Sequence, residues 1–238
     1  MDRIIRSLLD TDLYKLTMQQ AVLHQYPRAY VEYGFIIRNG EKLGFLTRDV
    51  QEQVRSLASL QLTDDEAGYL STIRFLKPDY VDFLHSYRFD PSLVRVSNIG
   101  GQLAIKVKGS WLDTILFEVP LLAIVSELRS NWLMSVEEWR SVDSAVMQTK
   151  IDQVNHYRLP LADMGTRRRF SFEHQRNVVR NFVANCPSFV GTSNVLLAKE
   201  LKTKAIGTQA HEWFMAHMGL VDNLAEVQKR ALHVWLQE

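Results

Sequence analysis

The spacing of hydrophobic and polar residues predicts helices and strands that alternate along the first part of the chain. Residues 10–12 offer two aspartates and a threonine before a helically spaced apolar set, so a helix should begin there and end before Pro27. The run 30–38 is rich in β-branched and aromatic residues and leads into Asn39-Gly40, which predicts a strand followed by a turn.

Further patterns place helices on both sides of a hairpin. The helical spacing of residues 50–57, the capping-box sequence of residues 63–66 and a proline at position 78 each predict a helix. Apolar residues alternate with polar ones on both sides of Gly100-Gly101, which predicts a β-hairpin. The apolar stretch 111–132 follows, and we expect it to be helical.

From about residue 159 the pattern changes to short apolar segments that end in glycine, each followed by a stretch typical of a helix. The three glycines are Gly165, Gly191 and Gly207, separated by 26 and then 16 residues. This spacing suits successive βα units of a parallel barrel or sheet, where active sites lie at the carboxyl ends of the strands.

Composition limits the possible partners and compartments. A 238-residue chain with 46% hydrophobic residues can fill a large core, and its net charge of +1 provides no overall field for nucleic acid or for an anionic membrane. The single cysteine, Cys186, excludes an internal disulfide framework. The amino terminus lacks a signal-peptide pattern, and the longest apolar run, 119–125, is far too short to cross a bilayer. We therefore expect a cytoplasmic protein.

Candidate chemistry is concentrated at the three predicted strand ends. Each is a Gly-Thr pair followed by polar residues: Gly165-Thr166, Gly191-Thr192 and Gly207-Thr208. Glycine allows the backbone to approach a ligand, threonine supplies a hydroxyl, and the start of the following helix favours an anion. Ordinary turns are the alternative explanation for these pairs.

Four segments carry a resemblance to a known family. Residues 9–15, 163–170, 189–194 and 207–213 resemble, in the same order, the signature segments of nicotinate phosphoribosyltransferases. The resemblance implies an α/β fold, with an α/β sandwich-like N-terminal domain leading into the first βα units of an irregular TIM-like barrel. We expect the first domain, with its connecting helices, to span 1–140 and the beginning of the barrel to span 141–238.

The resemblance also implies a reaction. Nicotinate and 5-phosphoribosyl 1-pyrophosphate would give nicotinate mononucleotide and pyrophosphate, in NAD biosynthesis. ATP would stimulate the reaction through a phosphohistidine, Mg²⁺ would accompany ATP and the phosphoribosyl donor, and a homodimer would share its active sites.

Individual roles follow from the same resemblance. His211 matches the phosphorylated histidine, and Thr208 matches a contact to nicotinate. Tyr14 matches an aromatic residue that reaches nicotinate across the dimer, with Asp12 beside it. Arg167 matches an arginine near the phosphoribosyl and pyridine groups.

The segment Thr192-Ser193-Asn194 completes the predicted substrate site. Ser193 falls where nicotinamide-using relatives carry an aspartate. An aspartate accepts a hydrogen bond from a carboxamide but repels a carboxylate, so a neutral serine favours the acid as substrate.

Other interpretations remain open. His211 and His217 could suggest zinc, but six positions separate them and prevent both from sharing one helical face, so no zinc is expected. One or two of the arginines 167–169 could simply be solvated. Family members are longer, so the barrel looks unfinished at residue 238. A non-catalytic pyridine-binding remnant, a partial chain without the donor site, and a nicotinamide- or quinolinate-using relative are the functional alternatives.

Overall fold

The structure is a computed structural model that describes residues 2–134 and 136–238, with all of their side chains except those of 136–145. These residues form a mixed α/β fold that contains a three-stranded antiparallel sheet and a two-stranded parallel sheet. In chain order the helices and strands are α1 (Leu13–Gln25), β1 (Tyr30–Gly34), α2 (Thr47–Leu57), α3 (Asp64–Ser71), α4 (Pro78–Ser86), β2 (Val94–Ile99), β3 (Gln102–Ser110), α5 (Trp111–Thr114), α6 (Glu118–Leu133), α7 (Val136–Tyr157), β4 (Leu161–Asp163), α8 (Phe172–Asn185), β5 (Phe189–Thr192), α9 (Val195–Glu200), α10 (His211–Leu220) and α11 (Val227–Trp235).

The antiparallel sheet has the strand order β1-β3-β2 and contains the predicted hairpin. Ile99 pairs with Gln102, and the two glycines between them have φ values of 59° and 85°. Glycine adopts this left-handed conformation without steric cost, so the hairpin prediction is confirmed. Strand β1 is shorter than predicted because its ladder with β3 ends at Gly34, and the chain leaves the sheet edge after one further bond from Phe35 N to Ile105 O.

Most predicted helix boundaries are confirmed. Helix α3 has the complete capping box between Thr63 and Glu66, and α4 begins with Pro78. Helix α1 follows Asp12 and ends two residues before Pro27. Asp12 occupies the N-cap position, but its carboxylate caps no backbone N–H of the helix and instead accepts a hydrogen bond from Ser193.

The second part of the chain contains two of the three predicted parallel strands. Strands β4 and β5 pair in parallel, as the βα pattern predicts. The third segment, 205–207, is wrong as a strand, since it forms only the isolated parallel bridge between Ala205 and Thr192. After that bridge the chain crosses the start of α1, where a Cβ on Gly207 would lie 3.2 Å from the backbone nitrogen of Tyr14.

One large hydrophobic core joins these elements. Its largest buried side chains include Trp111 and Phe117 from the first part of the chain and Trp213 from α10, and the rings of Trp111 and Trp213 stack at 5.7 Å. The core therefore contains residues from both sides of the boundary predicted near residue 140. No helix within the described residues is long and apolar enough to cross a membrane.

Candidate active site

Three chain segments that are distant in sequence meet at the start of α1. Asp12 forms an antiparallel bridge with Asn194, and the backbone nitrogen of Leu13 donates to the carbonyl of Ser193 at 2.8 Å. The backbone nitrogen of Ser193 in turn donates to the carbonyl of Asp163 at the end of β4, also at 2.8 Å. The end of β4, the end of β5 and the start of α1 are therefore held together by main-chain bonds.

Asp12 lies at the centre of this meeting point. Its side chain is 2% exposed, accepts a hydrogen bond from the Ser193 hydroxyl at 2.8 Å, and lies 3.5 Å from Nε of Arg167. Burial raises the pKa of Asp12 more than the hydrogen bonds from Ser193 and Thr166 and the charge of Arg167 lower it. The carboxylate thus holds Ser193 and Arg167 in place and is closed to bulk solvent.

Tyr14 lies beside the same arginine. The Tyr14 side chain is buried in this single chain, and the guanidinium carbon of Arg167 lies 5.6 Å from its ring centroid. Burial, with the charges of Asp12 and Glu118, raises the pKa of Tyr14 above its usual value, so the phenol stays neutral. Arg167 keeps 31% of its side chain exposed, and its guanidinium is therefore available to an anionic ligand.

A second network of hydrogen bonds supports the ends of β4 and β5. Asp163 accepts hydrogen bonds from the Thr192 hydroxyl at 2.7 Å and from Gln175 at 3.0 Å. The Asn194 side chain donates to Asp10 at 2.8 Å and caps α9 by accepting from the backbone nitrogen of Leu197 at 3.0 Å. Thr192, Ser193 and Asn194 are all fully buried, so the whole segment acts within the scaffold, and Thr192 and Asn194 fix the conformation of Ser193 between them.

A buried lysine connects this group to α10. The Lys15 ammonium contacts the carboxylates of Glu118 and Glu212, and its side chain is completely buried. Glu212 also accepts hydrogen bonds from the Tyr33 hydroxyl at 2.5 Å and from the Trp111 indole at 2.8 Å. The five residues Lys15, Tyr33, Trp111, Glu118 and Glu212 form what we call the lysine cluster.

His211 and Thr208 line two different cavities. His211 is the exposed first residue of α10 and lines a groove of about 680 Å³, together with Glu118 and Glu212. Thr208 is also exposed and lines a smaller cavity of about 270 Å³ beside Leu13. The structure therefore brings together Asp12, Tyr14, Arg167 and the 192–194 segment, whereas His211 and Thr208 stand apart from that group.

Comparison with known proteins supplies the family. Residues 9–126 match the nicotinate phosphoribosyltransferase N-terminal domain, and residues 159–238 match the nicotinate phosphoribosyltransferase family. Over its whole length the chain is 46% identical to nicotinate phosphoribosyltransferase 1 of Pseudomonas aeruginosa, of which it covers 61%. The chain belongs to the nicotinate phosphoribosyltransferase family.

Solved structures of the family agree with this assignment. The nicotinate phosphoribosyltransferase of Porphyromonas gingivalis matches 98% of this chain with a TM-score of 0.93 and 36% identity, and 61% of that chain is covered. The Vibrio cholerae nicotinate phosphoribosyltransferase matches 99% of this chain with a TM-score of 0.90 and 38% identity, with 58% of its own length covered. The chain thus spans about three fifths of the length of these relatives, and the family predicted from its sequence motifs is confirmed.

The positions of His217 and of the arginines 167–169 bear on two of the alternative interpretations. His217 is buried, and its two ring nitrogens contact the Trp213 carbonyl at 2.7 Å and the Tyr26 hydroxyl at 3.1 Å, so both nitrogens already have protein partners. Of the arginines 167–169, only Arg168 is exposed, whereas Arg169 is buried against Asp10. The expectation that one or two of these arginines are solvated is therefore confirmed for Arg168.

Sequence reasoning missed the lysine cluster and the Asp10–Arg169 ion pair. Glu118 lies about a hundred residues after Lys15, and Glu212 about a hundred residues after Glu118, so no spacing pattern connects them. The available signal was indirect: Lys15 and Glu212 lie directly after the predicted site residues Tyr14 and His211. Charged residues at such positions within an otherwise apolar environment are candidates for paired burial.

Proposed function

We propose that this chain carries the nicotinate-binding part of an enzyme that makes nicotinate mononucleotide and pyrophosphate from nicotinate and 5-phosphoribosyl 1-pyrophosphate. The observation that carries the proposal is the convergence of Asp12, Tyr14, Arg167 and Ser193 from three separate segments. It places one partly exposed cation and one aromatic ring side by side, 5.6 Å apart. An arginine can bind a carboxylate or a phosphate, and the buried ring of Tyr14 holds the guanidinium of Arg167 through a cation–π contact.

The chemistry requires positioning more than acid–base catalysis. Departure of pyrophosphate from the anomeric carbon gives the ribose oxocarbenium character and leaves negative charge on the leaving group. Arg167 is suited to stabilise such charge. The pyridine nitrogen already has a free lone pair, so holding it in line with the anomeric carbon accounts for much of the rate enhancement.

His211 is proposed to couple ATP to this reaction as a phosphohistidine. It is exposed and is the first residue of the ten-residue helix α10, so a phosphoryl donor can approach its ring. The amino-terminal end of a helix favours negative charge, and a phosphoryl group there adds acceptor oxygens that can organise neighbouring segments. The expected contact between Thr208 and nicotinate stays a prediction, because Thr208 lines the smaller cavity and stands apart from the group around Arg167.

Mg²⁺ is proposed to enter with the phosphates of ATP and of the phosphoribosyl donor. Within the described residues, no group of three or more His, Cys, Asp or Glu side chains could hold a metal ion. The carboxylates nearest the site already have partners, since Asp12 binds Ser193 and Glu118 binds Lys15. In this proposal the ion is coordinated chiefly through substrate phosphates and water, as Mg²⁺ commonly is in enzymes that use nucleotides.

Three finer features complete the proposal. We propose that residues 1–140 and 141–238 are an α/β sandwich-like domain and the first βα units of an irregular TIM-like barrel. The parallel pair β4–β5 supports such a barrel, whose further strands would extend this pair. We also propose a cytoplasmic homodimer with shared active sites. The expected reach of Tyr14 to the ligand of the neighbouring subunit stays a prediction, because its ring is buried beside Arg167 of the same chain.

Calorimetry distinguishes the enzyme from a protein that only binds the pyridine. Nicotinate and the phosphoribosyl donor are titrated separately into the protein as its source gene encodes it, with Mg²⁺ present. Binding of both ligands supports the enzyme, whereas binding of nicotinate alone supports a pyridine-binding remnant without a donor site. Tighter binding of nicotinamide or quinolinate than of nicotinate would instead favour one of the relatives that use those substrates.

The role of His211 has a separate test. A His211→Asn variant keeps a polar side chain at the start of α10 but cannot carry the phosphoryl group in the same way. We expect product formation by this variant to gain nothing from ATP. ATP stimulation that survives the substitution would contradict the phosphohistidine proposal.

A further inference from the structure

Lys15 has an environment that stability alone does not explain. Its ammonium is completely buried between the carboxylates of Glu118 and Glu212. Removing charges from water costs several kcal/mol per ion, and apolar side chains of similar volume often stabilise a core equally well or better. A buried charge cluster beside a predicted active site is therefore a candidate for a functional role.

The contacts of Lys15 form a continuous path between the two halves of the proposed site. On one side Lys15 contacts Glu212, the residue after His211. On the other side it contacts Glu118, whose second oxygen lies 3.2 Å from Nη1 of Arg167. Arg167 then reaches Asp12, with 3.5 Å between Nε and the carboxylate.

Each charge on this path is held by more than one partner. The Tyr33 hydroxyl and the Trp111 indole fix one oxygen of Glu212, while Lys15 contacts the other. Burial raises the pKa of Glu118, but the charges and hydrogen bonds of Lys15 and Arg167 outweigh that effect and lower it. Glu118 therefore stays ionised, and any movement of Lys15 changes the position of a full negative charge beside Arg167.

We propose that Lys15 is a positioning residue that couples the first turn of α10, which carries His211, to the guanidinium of Arg167. The purpose of this coupling rests on the proposed function, whereas the coupling itself is a property of this chain. Two carboxylates share one ammonium, so a change in the position of Glu212 alters how strongly Lys15 binds Glu118. The attraction between Glu118 and Arg167 changes in turn. Phosphorylation at His211 would place new negative charge next to Glu212 and so change the ion pairs that Lys15 makes with Glu212 and Glu118.

Hydrogen exchange tests the coupling without any catalysis. Lys15→Met removes the charge and keeps most of the side-chain volume. We expect amide exchange to rise about tenfold both in residues 207–213 and in residues 166–169. A matched control is Lys106→Met, because Lys106 pairs with a single glutamate at 3.1 Å and its side chain is 67% exposed, and it should leave both segments unchanged.

Two outcomes of that experiment would overturn the inference: a rise confined to α1, or a rise in one of the two segments only. Glu212→Gln tests the same contact from the other side, since it weakens the bond to Lys15 and leaves a side chain of similar shape. It should reproduce the double effect even if Lys15→Met fails to fold. An unchanged segment 166–169 in Glu212→Gln would likewise overturn the inference.

A double-mutant cycle shows what the coupling serves. The rate of product formation with ATP present is the readout. If Lys15 acts through the His211 turn, Lys15→Met lowers this rate about tenfold, and its combination with His211→Asn forms product no more slowly than His211→Asn alone. Additive losses would contradict the coupling to His211, because a merely structural role lowers both forms alike. Absence of product from the unsubstituted protein would instead contradict the proposed function and leave the exchange result to decide the inference.

Discussion

The buried pair of Arg169 and Asp10 permits a quantitative prediction about the scaffold of the site. Both side chains are completely buried, and the two guanidinium–carboxylate bonds measure 2.6 and 2.9 Å. Replacing Arg169 with methionine leaves the Asp10 carboxylate buried, with the Asn194 amide at 2.8 Å as a remaining partner. Loss of one member of such a pair typically costs about 3–5 kcal/mol of unfolding free energy, because an uncompensated charge stays in the interior.

Two further variants separate the charge effect from general damage. Arg168→Met, at the exposed neighbour, should change the unfolding free energy by no more than about 0.5 kcal/mol. The double variant Asp10→Asn with Arg169→Met removes both charges and keeps an acceptor for Asn194. It should recover about 2 kcal/mol relative to Arg169→Met, since the unpaired charge is gone.

Urea unfolding, followed by tryptophan fluorescence, measures these differences. The midpoint should fall strongly for Arg169→Met, while the dependence of free energy on urea stays unchanged. That result would show a change in stability without a change in the surface exposed on unfolding. An Arg169→Met variant that unfolds at the same urea concentration as Arg168→Met would refute the reasoning. So would a double variant that is less stable than Arg169→Met.

The remaining predictions concern pH, backbone geometry and specificity. Burial raises the pKa of Glu127 from 4.5 to about 7, because its effect outweighs that of the Arg169 charge. The folded state therefore keeps the proton to a higher pH than the unfolded state does. The stability that this group contributes is lost as the pH rises between those two values. At 1.36 kcal/mol per pKa unit this loss is about 3 kcal/mol of unfolding free energy. Glu127→Gln should abolish it in urea unfolding measured from pH 4.5 to 8. A pH profile identical to that of the unsubstituted protein would contradict the prediction. Gly191→Ala should lower the unfolding free energy by about 3 kcal/mol or more in the same assay, because φ is +139° and a Cβ would lie 2.1 Å from a backbone carbonyl. The control is Gly68→Ala, which has open space around it in α3 and should be neutral or slightly stabilising. Ser193→Asp places a second carboxyl beside Asp12, so kcat/KM for nicotinate should fall about tenfold or more relative to kcat/KM for nicotinamide; an unchanged ratio would contradict the proposed role of this position.

Local features of the fold could be predicted because they depend on neighbouring residues. The Gly100-Gly101 hairpin, the capping box at residues 63–66 and the proline at the start of α4 are each specified within a few positions of sequence. The third predicted strand failed because a strand requires a partner along its whole length. Segment 205–207 finds only one residue of β5 to pair with before it turns across α1.

The candidate site was predictable only in part for the same reason. Family motifs marked Asp12, Tyr14, Arg167 and the 192–194 segment, and the structure brings these residues together. Nothing in the sequence indicated that Thr192, Ser193 and Asn194 would all be buried in the scaffold. The lysine cluster could not be predicted from spacing, because its three charges come from helices α1, α6 and α10, which only the tertiary fold brings into contact.

Product formation tests the central proposal most directly. The protein, as its source gene encodes it, is incubated with nicotinate, the phosphoribosyl donor, Mg²⁺ and ATP, and nicotinate mononucleotide and pyrophosphate are measured, with nicotinamide substituted for nicotinate in a parallel reaction. We expect equal amounts of the two products from nicotinate, and far less product from nicotinamide. No nicotinate mononucleotide under these conditions, or a clear preference for nicotinamide, would contradict the proposed function.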